Sequence, residues 1–175
     1  IAAAVAYGAK PDSKDKHWMV FDYGGGTLDV AIISTLDNRL TVENSEGDNY
    51  FGGSDIDRIL FREIVLKKIK AAGYHVDKLF EESTSSGKSL ARKIQLDCEN
   101  CKIELSNKDT ALLEIFDIDD DEGEPIEFEC EIIRSELEAL ISETVEKSIV
   151  IAKKALAGAD VKAEQLDKIL LVGGS

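Results

Sequence analysis

Three consecutive glycines between two aspartates are the residues of this sequence best suited to chemistry. In VFDYGGGTLDVAII, residues 20–33, Asp22 precedes the glycine run 24–26, and Thr27 and Asp29 follow it. Glycines leave backbone N–H groups uncovered and allow positive φ angles, so such a loop can surround an oxyanion at close range. Two carboxylates and a hydroxyl can hold a hydrated Mg²⁺ beside that anion. The alternative is an ordinary tight turn with solvated aspartates.

The glycine run is predicted to form the tip of a buried β-hairpin. Trp18–Phe21 and Leu28–Ile33 are apolar runs that are too short for helices and too continuous for an exposed sheet. Residues 39–44 alternate enough to add a third strand, and residues 168–172 form a closing strand before a glycine turn. These segments together predict the sheet that positions the loop.

Three amphipathic patterns predict helices. Ser54 is predicted to cap the first. The second runs from about Gly87 to Leu105. The third begins at Ser135 with a capping box to Glu138 and stops at Gly158. The apolar stripes are Ile56, Ile59, Leu60, Ile64 and Ile69 in the first helix, Leu90, Ile94, Cys98, Cys101 and Leu105 in the second, and Leu137, Leu140, Ile141, Val145, Ile149, Ala152 and Leu156 in the third.

The order of elements indicates two parts. Residues 111–118 and 124–132 flank an acidic turn, and the second run alternates apolar with acidic residues, which predicts an antiparallel hairpin with one wet face. Three strands, two helices, this hairpin, a helix and a strand do not make a regular βαβ repeat. We therefore predict an α/β protein whose sheet-bearing subdomain comprises residues 1–53 and 132–175. An α+β subdomain of a helix pair and a hairpin is inserted at residues 54–131.

Composition excludes several classes of function. Lysine plus arginine number 21 and aspartate plus glutamate 35, so the net charge of −14 disfavours nucleic acid and anionic membranes as partners. No apolar run approaches the roughly 20 residues that span a bilayer. Three cysteines are an odd number and too few to staple a domain, which favours a reducing compartment and a cytoplasmic location. Both ends lie within patterns, so we interpret the chain as a piece of a longer protein.

Other candidate sites have ordinary structural explanations. Cys98 and Cys101 have C-x-x-C spacing, which is compatible with redox or zinc chemistry, but both lie on a core stripe. Residues 119–121 are three aspartates without a complete calcium-loop signature, so a solvated acidic turn is the favoured interpretation. His17 and His75 are isolated beside polar turns and receive no role.

Four motifs occur in order at compatible spacings, namely FDYGGGTLDVAI, GDNYFGGSDID, ENCKIELS and ILLVGGS. Together they resemble the nucleotide-binding domain of the seventy-kilodalton heat-shock chaperones, members of the actin and sugar-kinase superfamily. The resemblance covers nearly the whole chain and implies the second lobe of that domain. The implied fold is a ribonuclease H-like, actin-type ATPase lobe, a mixed sheet with helices, carrying the inserted α+β subdomain. The implied cofactors are ATP or ADP and Mg²⁺, with K⁺ as a further ion.

The resemblance also implies roles for individual residues. Residues 24–27 match a loop that contacts the β- and γ-phosphates, and Asp22 and Asp29 match aspartates that organise metal ions through water. Glu99, Lys102 and Ser106 match a helix that grips adenosine, and their spacing puts them on one helix face. The alternative for these three is a solvated face with a helix-stabilising Glu–Lys pair. The implied cofactor-binding residues are Gly24, Gly25, Gly26, Thr27, Gly53, Glu99, Lys102, Ser106, Gly173, Gly174 and Ser175.

One departure from the family pattern concerns the base. Ile103 stands where many relatives have an arginine that stacks on adenine, so a base contact there would be apolar.

For the parent protein, the resemblance implies ATP hydrolysis that drives a peptide-binding cycle in a heat-shock, stress-response chaperone. The rest of the catalytic machinery would belong to a first lobe, so no catalytic residue is assigned and the chain alone is expected to bind nucleotide weakly and hydrolyse almost none. Implied partners are the first lobe and peptide-binding domain of the parent, client polypeptides, a J-domain co-chaperone, and a nucleotide exchange factor on residues 54–131. The alternatives are a non-catalytic actin-like or exchange-factor relative and a sugar or acetate kinase of the superfamily.

Overall fold

The computed structural model describes residues 2–6, 16–36, 39–78 and 85–174. The strands, in chain order, are β1 His17–Tyr23, β2 Leu28–Leu36, β3 Arg39–Asp48, β4 Thr110–Asp119, β5 Pro125–Ile133 and β6 Lys168–Val172. The helices are α1 Ala2–Ala6, α2 Gly53–Leu60, α3 Leu66–Ala71, α4 Ser85–Leu105 and α5 Arg134–Gly158, with a π-helical turn at Phe61–Val65 and a 3₁₀ turn at Ala163–Gln165.

The chain divides into two compact units. Unit 1 comprises Ile1–Gly53 and Glu143–Ser175, and unit 2 comprises Ser54–Ser142. The second division lies inside α5, whereas the sequence pattern predicted it between residues 131 and 132. A long helix that continues from one unit into the next gives no composition change at the division, so the pattern could not locate it.

A four-stranded mixed sheet forms the centre of unit 1. Its strand order is β3-β2-β1-β6, with β1–β2 and β2–β3 antiparallel and β6 parallel to β1. A parallel neighbour requires a crossover connection, which the long segment between β1 and β6 supplies. The predicted hairpin, third strand and closing strand are therefore confirmed. β3 extends beyond its predicted end, to Asp48.

The two faces of this sheet carry different cores. Alternate residues of β1 and β2 pack with Ile151 and Ala155 of α5 on one face. Trp18, Val20 and Ile33 pack with α1 on the other. Because successive strand residues point to opposite faces, Asp22 follows Val20 on the α1 side of the sheet.

The predicted apolar stripe of α5 is only partly correct. Leu140, Val145 and Ile149 are 38%, 46% and 45% exposed, whereas Ile151 and Ala155 are buried. The helix carries two adjacent apolar rows, and helical periodicity alone does not indicate which of them meets the sheet.

The interactions at the two ends of α5 also differ from those that the sequence predicted. The helix begins at Arg134, and the Glu136 carboxylate accepts the Ile133 N–H at 3.4 Å, so the predicted Ser135–Glu138 capping box is wrong. The helix does end at Gly158, but the left-handed residue is Asp160, with φ of 54°. A side chain at position 158 would collide with that of Asn44 in β3, which donates to a carbonyl of α5.

Unit 2 combines helices with the β4–β5 hairpin. Most of each predicted stripe is confirmed here, because Ile56, Leu60, Ile64 and Ile69 are buried, as are Ile94, Cys98, Cys101 and Leu105. Ile59 and Leu90, also predicted, are half-buried. The hairpin is antiparallel with the predicted alternation of buried and exposed residues. The π-helical turn between α2 and α3 was not predicted. Among the described residues, no helix combines the length and apolarity that a membrane span requires.

Candidate functional site

The glycine loop is the two-residue tip of the β1–β2 hairpin. The Gly24 N–H donates to the Thr27 carbonyl at 2.9 Å, which leaves Gly25 and Gly26 at the tip. A Cβ atom added at either tip residue would meet nothing within 4 Å, and neither residue has a left-handed φ. The loop therefore does not use the positive φ angles that its glycines allow. Neither strain nor a side-chain clash in the described part of the chain requires glycine at the tip, and both tip residues are exposed to solvent.

Two other glycine segments meet this loop. The Gly53 N–H donates to the Gly24 carbonyl at 2.9 Å. A Cβ at Gly52 would lie 2.6 Å from the backbone of Gly26, and one at Gly173, which has φ of 102°, would strike the Tyr23 carbonyl. The structure thus brings together Gly24, Gly25, Gly26, Thr27, Gly53 and Gly173 of the predicted set, with Gly174 next in the chain and exposed. Ser175 lies outside the described residues.

The two aspartates also meet at this loop. Asp22 and Asp29 are direct partners in the β1–β2 register, so their side chains leave the same face of the sheet. The Thr27 hydroxyl donates to Oδ2 of Asp29 at 3.3 Å. Both aspartates line an open cavity of about 640 Å³ that β3 also borders. The arrangement gives a cation two carboxylates on one wall of a solvent-accessible space.

The donor set suits a hydrated cation. In the residues that the structure describes, no three His, Cys, Asp or Glu side chains cluster to hold a metal ion directly. Two carboxylates leave most of an octahedral shell to water or to phosphate oxygens, which is the usual situation of Mg²⁺ in nucleotide sites. The residues present therefore fit the water-mediated role that the sequence predicts.

Gly47 is a functional candidate that sequence reasoning missed. It is the β3 register partner of Asp29. An added Cβ would lie 2.7 Å from the Leu28 carbonyl oxygen and 3.0 Å from Oδ1 of Asp29. The available signal was a glycine inside a strand, which often marks a close approach of another group. Its lack of a side chain leaves the space in which the Asp29 carboxylate lies.

The predicted adenosine residues lie at the C-terminal end of α4 in unit 2. The Lys102 ammonium forms an ion pair with Oδ1 of Asp57 at 2.8 Å, and the two side chains are only 12% and 5% exposed. Glu99 is exposed on the preceding turn. Ser106 follows the last helical residue, and its hydroxyl donates to the Lys102 carbonyl at 3.3 Å.

Asp57 was not predicted, and its environment is distinctive. Burial raises the pKa of the Asp57 carboxyl, while the adjacent Lys102 lowers it and the nearby Glu99 carboxylate adds to the increase. Ile103, next in sequence to Lys102, is 52% exposed and would offer an apolar contact. Nothing in local sequence identifies the partner of a lysine 45 positions away, so periodicity could not reveal this pair.

The environment of the three cysteines supports the interpretation that they are core residues. All three are free and buried. Burial raises the pKa of Cys98 above its usual range and that of Cys101 to about 11. A thiol that stays protonated is a poor nucleophile and a poor metal ligand. The C-x-x-C spacing therefore reflects a helical core stripe.

The acidic turn is also structural. The Asp120 carboxylate is buried and accepts the backbone N–H groups of His75, Glu122 and Glu124. These hydrogen bonds, that from His75 foremost, lower the pKa of Asp120. The side chain ties the β4–β5 turn to the segment after α3.

Comparison with known proteins identifies the family of this chain. A family model described as Hsp70 protein matches residues 1–175. The chain belongs to the Hsp70 family. It therefore has the actin-like ATPase fold of Hsp70 proteins, which confirms the predicted family and fold class.

The Hsp70 relatives are bacterial chaperones. Chaperone protein DnaK of Ureaplasma urealyticum serovar 10 is 33% identical over 175 residues, which are 99% of this chain and 28% of the relative. Chaperone protein DnaK of Mesomycoplasma hyopneumoniae strain 232 is 32% identical over 174 residues, with the same coverage of both chains. This Hsp70 chain thus spans 28% of the length of the curated relatives it matches. Nucleotide binding, typically with Mg²⁺, is a property of the Hsp70 family.

Proposed function

We propose that this chain is the ATP-binding second lobe of a chaperone ATPase that couples ATP binding and hydrolysis to the folding of client polypeptides. The observation that carries this proposal is the open tip formed by Gly25 and Gly26, where a side chain would meet no protein atom. Among the described residues, no side-chain packing requires glycine at these two positions. A phosphate group approaching the uncovered N–H groups supplies the reason for glycine there.

The cation and the loop act together in this proposal. Asp22 and Asp29 hold Mg²⁺ through water, with K⁺ as a second ion, beside phosphates that contact residues 24–27. The metal supplies charge neutralisation to the phosphates when it is bound. The protein supplies two carboxylates fixed by strand pairing and a Thr27 hydroxyl that orients one of them.

In this proposal, Glu99, Lys102 and Ser106 bind the adenosine end of the nucleotide, and Gly53, Gly173, Gly174 and Ser175 are further nucleotide-binding residues. No residue of this chain is assigned as catalytic. We expect the chain alone to bind nucleotide weakly and to release almost no phosphate, because hydrolysis also requires a first lobe. The peptide-binding domain, a J-domain co-chaperone, an exchange factor on residues 54–131 and a cytoplasmic location belong to this proposal for the parent protein.

Nuclear magnetic resonance titration of the ¹⁵N-labelled chain tests the proposal at the weak affinities expected. With Mg²⁺ and millimolar ADP, the amide signals of Gly25, Gly26 and Gly173 should shift, and glucose or acetate should leave them unchanged. Shifts with glucose or acetate would favour a small-molecule kinase of the superfamily. Unmoved glycine signals at saturating ADP would contradict nucleotide binding at this loop, and rapid phosphate release from ATP would contradict the need for a first lobe.

A further inference from the structure

The ion pair between Lys102 and Asp57 differs from the others in the described ranges of the chain. The other ion pairs join side chains that are each at least 26% exposed. Those of Lys102 and Asp57 are 12% and 5% exposed, at 2.8 Å. This pair is therefore a built feature of unit 2, held between α2 and the end of α4.

Stability is a poor explanation for such a pair. Removing two charges from water costs about as much as their attraction returns, and well-packed apolar residues of similar size often replace a buried pair without loss. A buried pair is better explained where it fixes the position of a charged group. Here it fixes the ammonium of the residue proposed to contact the nucleoside.

The surrounding charge indicates which part of a nucleotide suits this ammonium. Asp57 neutralises Lys102, and the Glu99 carboxylate is close enough to influence Asp57 electrostatically. The Lys102 charge is already balanced by Asp57, and the charges of Glu99 and Arg58 offset each other, so the pair offers a phosphate little net attraction. An uncharged hydroxyl-bearing group, such as a sugar, can accept a hydrogen bond from the ammonium and donate one to Glu99.

We propose, on the basis of the function proposed above, that Asp57 is a positioning residue. It holds the Lys102 ammonium at a fixed place on the α4 face and balances its charge, so that this face binds the uncharged nucleoside and not the phosphates. Asp57 itself need not touch the nucleotide.

The test uses the whole chain and two halves of the ligand. Shifts of nuclear magnetic resonance signals give the dissociation constants for adenosine, for pyrophosphate with Mg²⁺ and for ADP with Mg²⁺. The proteins compared are the wild type, Asp57→Asn, Lys102→Met and the double variant. Asp57→Asn should weaken adenosine binding about tenfold, the scale of one hydrogen bond to a charged group, and should not weaken pyrophosphate binding. In the Lys102→Met background, Asp57→Asn should have no further effect. Asp55→Asn, which removes an exposed ion pair with Arg58 from the same helix, is the matched control.

The outcomes separate the inference from the proposed function. If the wild type binds neither adenosine nor ADP, the proposed function fails. If it binds both, two results would overturn the inference while leaving the proposed function intact. One is that Asp57→Asn changes adenosine affinity no more than Asp55→Asn does. The other is that Asp57→Asn changes adenosine affinity by the same factor with and without Lys102. Should Asp57→Asn fail to fold, Asp57→Glu decides. That variant keeps the charge but displaces it, so weaker adenosine binding supports positioning and unchanged binding overturns it.

Discussion

Asp22 and Asp29 are direct cross-strand partners, so two carboxylates of like charge lie opposite each other on one face of the β1–β2 hairpin. Like charges in directly opposed positions destabilise a sheet. The β4–β5 hairpin has a second such pair, Glu114 and Glu129, both exposed. The first pair borders the glycine loop and the second does not. Comparison of the two therefore separates simple repulsion from a role in binding a cation.

The first prediction concerns Asp22→Asn. Without divalent ions, the substitution should raise the free energy of unfolding by up to about 1 kcal/mol, because it removes the repulsion between Asp22 and Asp29. With Mg²⁺ and ADP, the variant should gain less stability than the wild type does. Urea unfolding with EDTA and with Mg²⁺–ADP measures both changes.

Glu114→Gln is the control for this prediction. It should bring a similar relief of repulsion without altering the stabilisation by Mg²⁺–ADP. Equal stabilisation of Asp22→Asn and the wild type by Mg²⁺–ADP would show that Asp22 does not contribute to cation binding.

The second prediction concerns the loop tip. Gly25→Ala should change the free energy of unfolding by less than about 0.5 kcal/mol, because its methyl group meets no atom and its φ is not left-handed. The affinity for Mg²⁺–ADP should nevertheless fall at least about tenfold, since the methyl group occupies the space of the phosphate. Gly123→Ala is the control at a glycine with φ of 87°, and it should lose roughly 1 kcal/mol of stability at unchanged affinity. An unchanged affinity in Gly25→Ala would show that the tip does not meet the phosphate.

The third prediction concerns Gly47. Gly47→Ala should cost about 1–3 kcal/mol of stability, the usual effect of forcing an atom into occupied space, because the carbonyl of Leu28 is backbone and cannot rotate aside. It should also displace the Asp29 carboxylate. Thermal unfolding measures the first effect, and the loss of Mg²⁺ dependence in ADP binding measures the second. Full stability in this variant would contradict the close approach.

The fourth prediction concerns acid stability. The folded pKa of Asp120 is lowered, so its ionised form stabilises the fold above the ordinary aspartate value of 3.8, and this contribution is lost as the pH falls through the folded pKa. Asp120→Ala should therefore unfold at a lower temperature at neutral pH, and the difference from wild type should shrink as the pH falls below about 4. Unfolding curves from pH 7 to pH 2 test this. The exposed Asp119 provides the control substitution, Asp119→Ala, and the same pH dependence there would contradict the assignment to Asp120.

The sequence predicted those elements in which local pattern and burial agree. The β1–β2 hairpin, the α4 stripe through Ile94 and Cys98, and the alternation along β5 each have one apolar face, and that face is the buried one. The α5 prediction failed where two apolar rows compete, as Val145 and Ile151 illustrate. The sequence did not predict the π-helical turn. Its two fully buried residues, Leu60 and Val65, are five positions apart, and this spacing does not fit the period of an α-helix.

The candidate site likewise contains some residues that the sequence predicted and others that it did not. The glycines and aspartates around the loop could be identified as candidates from the sequence because they lie together in one continuous stretch, residues 22–29. Asp57 and Gly47 could not be, since each acts through a partner on another element, Lys102 for one and Asp29 for the other. Such pairs are visible only when the chain is folded.

Unit 1 is assembled from the two ends of the chain, while unit 2 is continuous. In the sheet, β1 can pair with β6 only after β6 has been synthesised. The His17 N–H likewise donates to the carboxylate of Asp167, which lies 150 positions later. Contacts between distant segments form slowly because the intervening chain must first be closed into a loop. During synthesis on the ribosome, we therefore expect the segment from Ser54 to Ser142 to become protease-resistant first. The glycine hairpin should acquire its final neighbours only when the last strand has emerged.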